Sequence, residues 1–184
     1  MDYISERCRL NIRALSRIGV TPSRIARKTS REIVWEISLS GGRNVFTSIT
    51  SNKMNDSIFV VHVDTERFYR LWLKDSSPWR RERRDNCPLR KHMPLDDAYD
   101  YASVAFSNSQ ASPIPLAEMG CGKPARRDTI SFINGKTRTM WLIANRAPSF
   151  PIEVWGEKTA QILNKYYGLD ATPRNLLELF GAHS

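Results

Sequence analysis

The chain is poor in the residues that build metal or nucleophile centres. It has three cysteines and three histidines in 184 residues. Cys8, Cys87 and Cys121 are odd in number and far apart, which argues against a disulfide framework and for reduced thiols. No Cys or His pair stands at zinc spacing. His62, His92 and His183 leave little material for a His-rich metal site or a Ser–His–Asp triad. Long apolar runs are also missing: nothing approaches the roughly 18 uninterrupted apolar residues of a transmembrane helix. The first residues, among them Asp2, Glu6 and Arg7, carry early charges in place of a signal-peptide pattern, so a cytoplasmic location is expected. There is no internal repeat. The G-x-x-x-x-G-K-[ST] spacing of a Walker loop is absent.

Acidic residues are outnumbered. Lys and Arg total 28 against 19 Asp and Glu, a formal net charge of +9. A basic surface attracts polyanions: DNA, RNA, an anionic membrane face or an acidic protein. Arg80, Arg81, Arg83 and Arg84, next to Trp79, form the densest run, followed by Arg90, Lys91 and His92. Pro78 and Pro88 bracket most of it, which predicts a surface loop or short turn. Arginine pairs bidentately with phosphate and Trp79 would stack on a base. A solvated loop with Trp79 tucked into the core fits the same residues.

Length suits one α/β domain with a sizeable core. Residues 2–18 read as an amphipathic helix with Ile4, Cys8, Ile12 and Leu15 on one stripe, ending at Gly19. Thr21, Pro22 and Ser23 would cap a second short helix through Arg27, with Arg24, Arg27 and Lys28 as phosphate contacts of a helix–turn–helix. Residues 32–39 and 45–49 read as a hairpin turned at Gly41 and Gly42. The polar stretch at 51–56 marks a boundary, giving a basic N-terminal extension (1–56) and a main domain (57–184). In the latter, residues 58–63 are the clearest core strand. A helix starting at Asp64 and Thr65 buries Phe68, Leu71 and Trp72. Another runs from Pro94 to about Phe106, a further one from Glu157 to Tyr167 closed by Gly168, and a short one from Pro173 to Phe180.

The most informative stretch is residues 130–145. Residues 130–133 are an apolar run that reads as a short buried strand, broken by Asn134 and Gly135. Met140, Trp141, Ile143 and Ala144 then give an apolar face at helix spacing, with no Pro until Pro148. Strand, Gly turn and helix N-terminus follow one another. Such an N-terminus presents backbone N–H groups and partial positive charge to an anion. Its first turn carries Lys136, Thr137, Arg138 and Thr139. Cations there oppose the helix dipole unless an anion is bound. A solvated basic turn is the competing reading, and local physics does not choose between them.

The order of these elements over residues 113–155 resembles the ParB/sulfiredoxin superfamily. Gly135, Lys136, Thr137 and Arg138 match its G-x-x-R box. Residues 113–118 resemble the strand after a helix, 128–133 the strand into the box, 139–146 the helix after it and 151–154 the closing strand. Lys136 stands where sulfiredoxins carry their catalytic cysteine and where CTP-binding partition proteins are typically acidic, so neither of those activities carries over. Size, charge and motif wording are most similar to the plasmid fertility-inhibition proteins of the oncogenic suppression activity (Osa) type. The resemblance implies an α/β (α+β) mixed sheet flanked by helices, behind an N-terminal helix and hairpin. It also implies a block on export of a co-resident element's DNA, T-DNA or plasmid, through a type IV secretion system. Nucleotide hydrolysis and DNA cleavage go with it. Its partners would be that DNA, the coupling protein of the secretion system and, peripherally, the inner membrane.

The chemistry expected at the box is phosphate ester hydrolysis with ATP or another nucleotide and Mg2+. Arg138 and the first-turn N–H groups would hold phosphates, with Gly135, Lys136, Thr137 and Thr139 completing the nucleotide site. Glu118 and Asp128 are the nearby hard-oxygen ligands for magnesium and, with Arg138, the candidate catalytic residues. A surface ion pair of Asp128 with Arg126 or Arg127 is the plainer alternative. Arg126 and Arg127 join the arginines at 80–84 as candidate DNA contacts. Two mechanisms remain open: an ATPase and Mg-dependent DNase, or a non-catalytic inhibitor of the same fold that occupies DNA or the coupling protein. A DNA-binding regulator working through the N-terminal helices is a third.

Overall fold

The apolar run at residues 58–63 forms the strand on which both halves of the core are built. The computed structural model describes residues 19–53, 55–75, 86–120 and 131–181. The helix expected at 2–18, the arginine run at 80–84, and Arg126, Arg127 and Asp128 lie outside the described residues.

Strand β4 (Ile58–Asp64) is buried at every position, as expected of a central strand covered on both faces. Its alternation divides the interior. Phe59, Val61 and Val63 point into a larger core with Phe68, Trp72, Met119, Met140, Ile152 and Val154. Ile58 and Val60 point into a smaller one with Ile33, Trp35, Ile49, Leu116, Leu176 and Leu179. β4 pairs antiparallel with β8 (Ser149–Trp155) over its whole length and with the short β9 (Arg174–Asn175). β8 pairs in parallel with β6 (Ala117–Met119), which pairs antiparallel with β7 (Phe132–Asn134). The order of this sheet is β7-β6-β8-β4-β9.

A second sheet has the order β1-β2-β3-β5, in which β5 is the two-residue strand Ile114–Pro115. β2 (Glu32–Ser38) and β3 (Asn44–Thr50) are the expected hairpin, in register from Glu32↔Thr50 to Ser38↔Asn44. Its turn places Gly41 and Gly42 at φ 107° and 82°. The hairpin's Ile33, Trp35 and Ile49 sit in the smaller core beside β4. Among the described residues the expected mixed sheet flanked by helices is thus present, and the hairpin extension is widened by β1 and β5 into a second mixed sheet.

The second N-terminal helix is not formed. β1 (Arg24–Lys28) is a strand, antiparallel to β2. Arg24 pairs with Glu36 and Arg27 with Glu32 at 2.5 Å. The edge of β2 offers a hydrogen-bonding ladder and two acids, which a helix would have left unused. The helix–turn–helix reading falls with it.

Helix α1 (Thr65–Asp75) starts where expected, because the Asp64 carboxylate accepts from the backbone N–H of Glu66 and Arg67 at 3.0 Å each. The helix expected from Pro94 is shorter. Residues Arg90–Leu95 form a 3-10 turn, Asp96 accepts from the Ala98 N–H at 3.1 Å, and α2 runs Tyr99–Ala105. Val104 on it is exposed. Helix α3 (Lys136–Ala144) follows β7, and α4 (Glu157–Tyr167) ends at Gly168. The last helix, α5 (Leu176–Phe180), begins later than expected, capped by the Asn175 side chain. Among the described residues no helix is long and apolar enough to cross a membrane.

Candidate functional site

The box turn is built by a close approach of two backbones. Gly135 has φ 81° and ψ 17°, the left-handed region. A β-carbon there would lie 2.7 Å from the Ala117 Cα on β6, so both conformation and space demand glycine. Asn134 Oδ1 accepts from the Gly135 N–H at 2.7 Å. Gly135 offers no side-chain cap to α3, and the first turn holds no acid. No carboxylate of the first turn therefore offsets the positive potential at this end of α3.

The first turn opens on a cleft of ≈ 510 Å³ between α3, β7 and α2. Gly135, Lys136, Thr137 and Arg138 line its polar end. Tyr101, Ala102, Ala105, Ile114 and Ile133 line the rest. Tyr101 is 78% exposed and Ile133 60%. The strand expected to be buried at 130–133 has Ile133 turned outward instead: among the described residues β7 is the last strand of its sheet, and Phe132, Ile133 and Asn134 line the cleft. The α2 wall is held by Phe106, whose ring stacks on Trp141 with centroids 4.3 Å apart. Ser103 Oγ accepts from Trp141 Nε1 at 2.8 Å.

The first-turn side chains divide by role. Arg138 Nη1 donates to the Pro115 carbonyl at 2.8 Å, which anchors the guanidinium at the mouth of the cleft. Burial pulls its pKa down, and the charges of Glu118 and Glu153 work against that shift. Thr137 Oγ1 donates to Asp96 Oδ1 at 3.4 Å. Thr139 is fully buried, and its hydroxyl donates to the Gly135 carbonyl at 3.2 Å, inside the helix. It supports the turn and does not line the cleft. Burial raises the Cys87 thiol well above its usual pKa, opposed by the charges of Lys136 and Arg90.

Glu118 is joined by two residues that sequence reasoning missed. Glu153 stands opposite it in register across β6 and β8, and Lys53 bridges them. Lys53 Nζ lies 2.7 Å from Glu118 Oε1 and 3.0 Å from Glu153 Oε2. The Glu153 side chain is 1% exposed, and its other oxygen accepts from Trp155 Nε1 at 3.0 Å. Burial pushes the Glu153 carboxyl above its usual range, against the pull of Lys53. For Lys53 burial lowers the pKa, but hydrogen bonds to both carboxylates outweigh it and the net direction is up. The signal for Glu153 was present: a lone acid inside the apolar run at 151–154, at a position whose neighbours alternate into the core.

Of the two expected magnesium ligands, Asp128 lies outside the described residues and Glu118 is within them. Among the described residues no three potential ligands of the types His, Cys, Asp and Glu converge there, and Glu118 is engaged by an ammonium. Arg90, read as part of a surface basic run, is instead structural. It pairs with Glu66 at 2.8 Å and lies over the Tyr69 ring.

Comparison with known proteins places this geometry. Residues 60–168 match the profile of the plasmid fertility inhibition factor family. The chain belongs to that family. A relative, protein osa of Shigella flexneri, is 31% identical over 144 residues, 76% of this chain and 71% of its own length. A crystal structure of the oncogenic suppression activity protein, a plasmid fertility inhibition factor in its gold(I) cyanide derivative, superposes with a TM-score of 0.83. That match has 28% identity and covers 97% of this chain and 92% of the other. In this fertility inhibition factor, residues 60–168 hold both the box and the α2 wall of the cleft.

Proposed function

We propose that this fertility inhibition factor binds a nucleotide, ATP by preference, in the cleft between α2 and α3. The observation that carries the reading is the joining of opposite chemistries in one cleft. Lys136, Arg138 and an uncapped helix end sit at one side, Tyr101 and Ile133 at the other. Phosphates suit the first and a flat base the second. ATP hydrolysis, coupled to binding and cleavage of the competing element's DNA, would stop its export through the type IV secretion system. Magnesium enters this reading as the counterion of the nucleotide's phosphates. The coupling protein and the cytoplasmic face of the inner membrane are where such an inhibitor would act. Arg80, Arg81, Arg83, Arg84, Arg126 and Arg127 are the proposed DNA contacts. A non-catalytic inhibitor of the same fold is the second reading, favoured by the engagement of Glu118 with Lys53.

Calorimetric titration with ATP and with tripolyphosphate tests the site. Arg138→Ala should weaken both by at least about tenfold, the loss of one charge-assisted contact. Tyr101→Ala should weaken ATP by about five- to hundredfold, as for a lost base stack, and leave tripolyphosphate unchanged. A wild-type chain that binds neither ligand would refute the nucleotide reading. Incubation with single- and double-stranded DNA, with magnesium or EDTA, separates the mechanisms. Magnesium-dependent loss of DNA that disappears in Arg138→Ala supports catalysis, and intact but bound DNA supports the blocking inhibitor.

A further inference from the structure

Glu118, an expected magnesium ligand, already faces a cation of the chain itself. Glu118 and Glu153 project from adjacent parallel strands in register, on the same face of the sheet. Two carboxylates so placed repel one another and lose hydration, so one of them takes up a proton or a cation sits between them. A divalent ion is the usual solution. Here an ammonium occupies that position, 2.7 and 3.0 Å from the two carboxylates. It arrives from the 3-10 turn Ser51–Lys53, immediately after β3 of the other sheet. The Trp155 indole saturates the remaining Glu153 oxygen.

We propose that Lys53 is a tethered cation filling a divalent-cation seat between Glu118 and Glu153, so that this fertility inhibition factor neutralises the pair with its own side chain and holds no metal there. Charge supports it. The two carboxylates are answered by Lys53 and by Arg138, which feels both of them from the cleft. A dication added to that set would leave an excess of positive charge in a half-buried place. Geometry supports it as well. Glu153 has both oxygens engaged, by Lys53 and Trp155, and one of the Glu118 oxygens already faces Nζ. The seat also joins the two sheets, since Lys53 belongs to the hairpin side and both acids to the β4 sheet. This inference stands apart from the nucleotide reading, because its test contains no nucleotide.

The experiment is Mn2+ binding, followed by electron paramagnetic resonance and by thermal melting, for the full chain and its variants. Wild-type melting should not respond to Mn2+, and Glu153→Gln should bind no less Mn2+ than wild type. Lys53→Ala should gain one Mn2+ site at least about tenfold tighter than any in wild type, with a melting temperature raised roughly 5 °C by saturating metal. Adding Glu153→Gln to Lys53→Ala should remove the gained site. If Lys53→Ala folds only when Mn2+ is present, that dependence is the same gain. The proposal is overturned if wild type holds an Mn2+ ion that Glu153→Gln or Glu118→Gln releases, since the metal then displaces Lys53. It is equally overturned if Lys53→Ala, folded, gains no site.

Discussion

Gly135 carries two constraints at once, and they predict an outcome for a one-carbon change. Its left-handed φ alone would cost a substituted residue on the order of 1 kcal/mol. The predicted β-carbon contact, 2.7 Å from the Ala117 Cα, meets backbone that cannot rotate away. Gly135→Ala should therefore destabilise the fold by at least about 2 kcal/mol, read as a shift in urea midpoint. Phosphate affinity should fall with it, because the α3 N-terminus must move. The need for a glycine here was legible, since a Gly between an apolar run and a helical face has few other uses. The roles of the following residues were only partly legible. The four side chains after Gly135 look alike in sequence as polar first-turn groups. The helix turns Thr139 inward to its own Gly135 carbonyl and leaves Arg138 at the mouth. Lys53 and Glu153 are 100 positions apart, and no local pattern brings such residues together.

At the scale of elements, strong periodicity survived contact with the structure and weak polarity patterns did not. β4, α1 and β8 each bury a long apolar stripe, so their burial outweighs any local alternative. β1 has little to bury. Thr21, Pro22 and Ser23 suggested a helix start, but a free β2 edge with Glu32 and Glu36 decided the matter non-locally. The same applies to β7, where an apolar run became, among the described residues, the last strand of its sheet beside the cleft. The loop after α4 illustrates how elements are tied by charge. His62 on β4 is buried, and its Nδ1 donates to Asp170 Oδ2 at 2.9 Å. The His62 hydrogen bond holds the Asp170 carboxyl below its usual pKa, partly opposed by burial. A depressed carboxylate stabilises the fold above its ordinary pKa, and that contribution disappears as pH falls through the folded-state value. Asp170→Asn should lose about 1.5–3 kcal/mol at neutral pH, the range for hydrogen bonds to charged groups. Its melting temperature should also fall less than that of wild type between about pH 5 and pH 2.

For the whole molecule, a net charge of +9 sets what the proposed DNA binding would look like. Association should weaken steeply with salt, in proportion to the number of phosphates neutralised. Reversing Arg80, Arg81, Arg83 and Arg84 together should flatten that dependence by roughly one unit of log–log slope per lost phosphate contact. An unchanged slope in filter binding would remove this run from the DNA interface. Composition was enough to raise this expectation. It could not show where the charge goes, and Arg90 demonstrates why: within a basic run, burial against Tyr69 and Glu66 made it a structural residue.

The strand expected at residues 113–118 turned out to serve two sheets. Ile114 and Pro115 pair with β3, and Leu116 N–H donates to the Ser48 carbonyl at 2.9 Å. From Ala117 onward the chain pairs with β8 instead. The same few residues carry the Pro115 carbonyl that holds Arg138 and the Ala117 carbon that lies under Gly135. This segment acts as a common axle. The hairpin sheet is thereby tied through backbone contacts to the guanidinium and the glycine turn, and through Ile37, Val45 and Ile114 to the larger core as well. The register of β3 against Ile114 and Pro115 therefore also fixes where Arg138 and Gly135 stand.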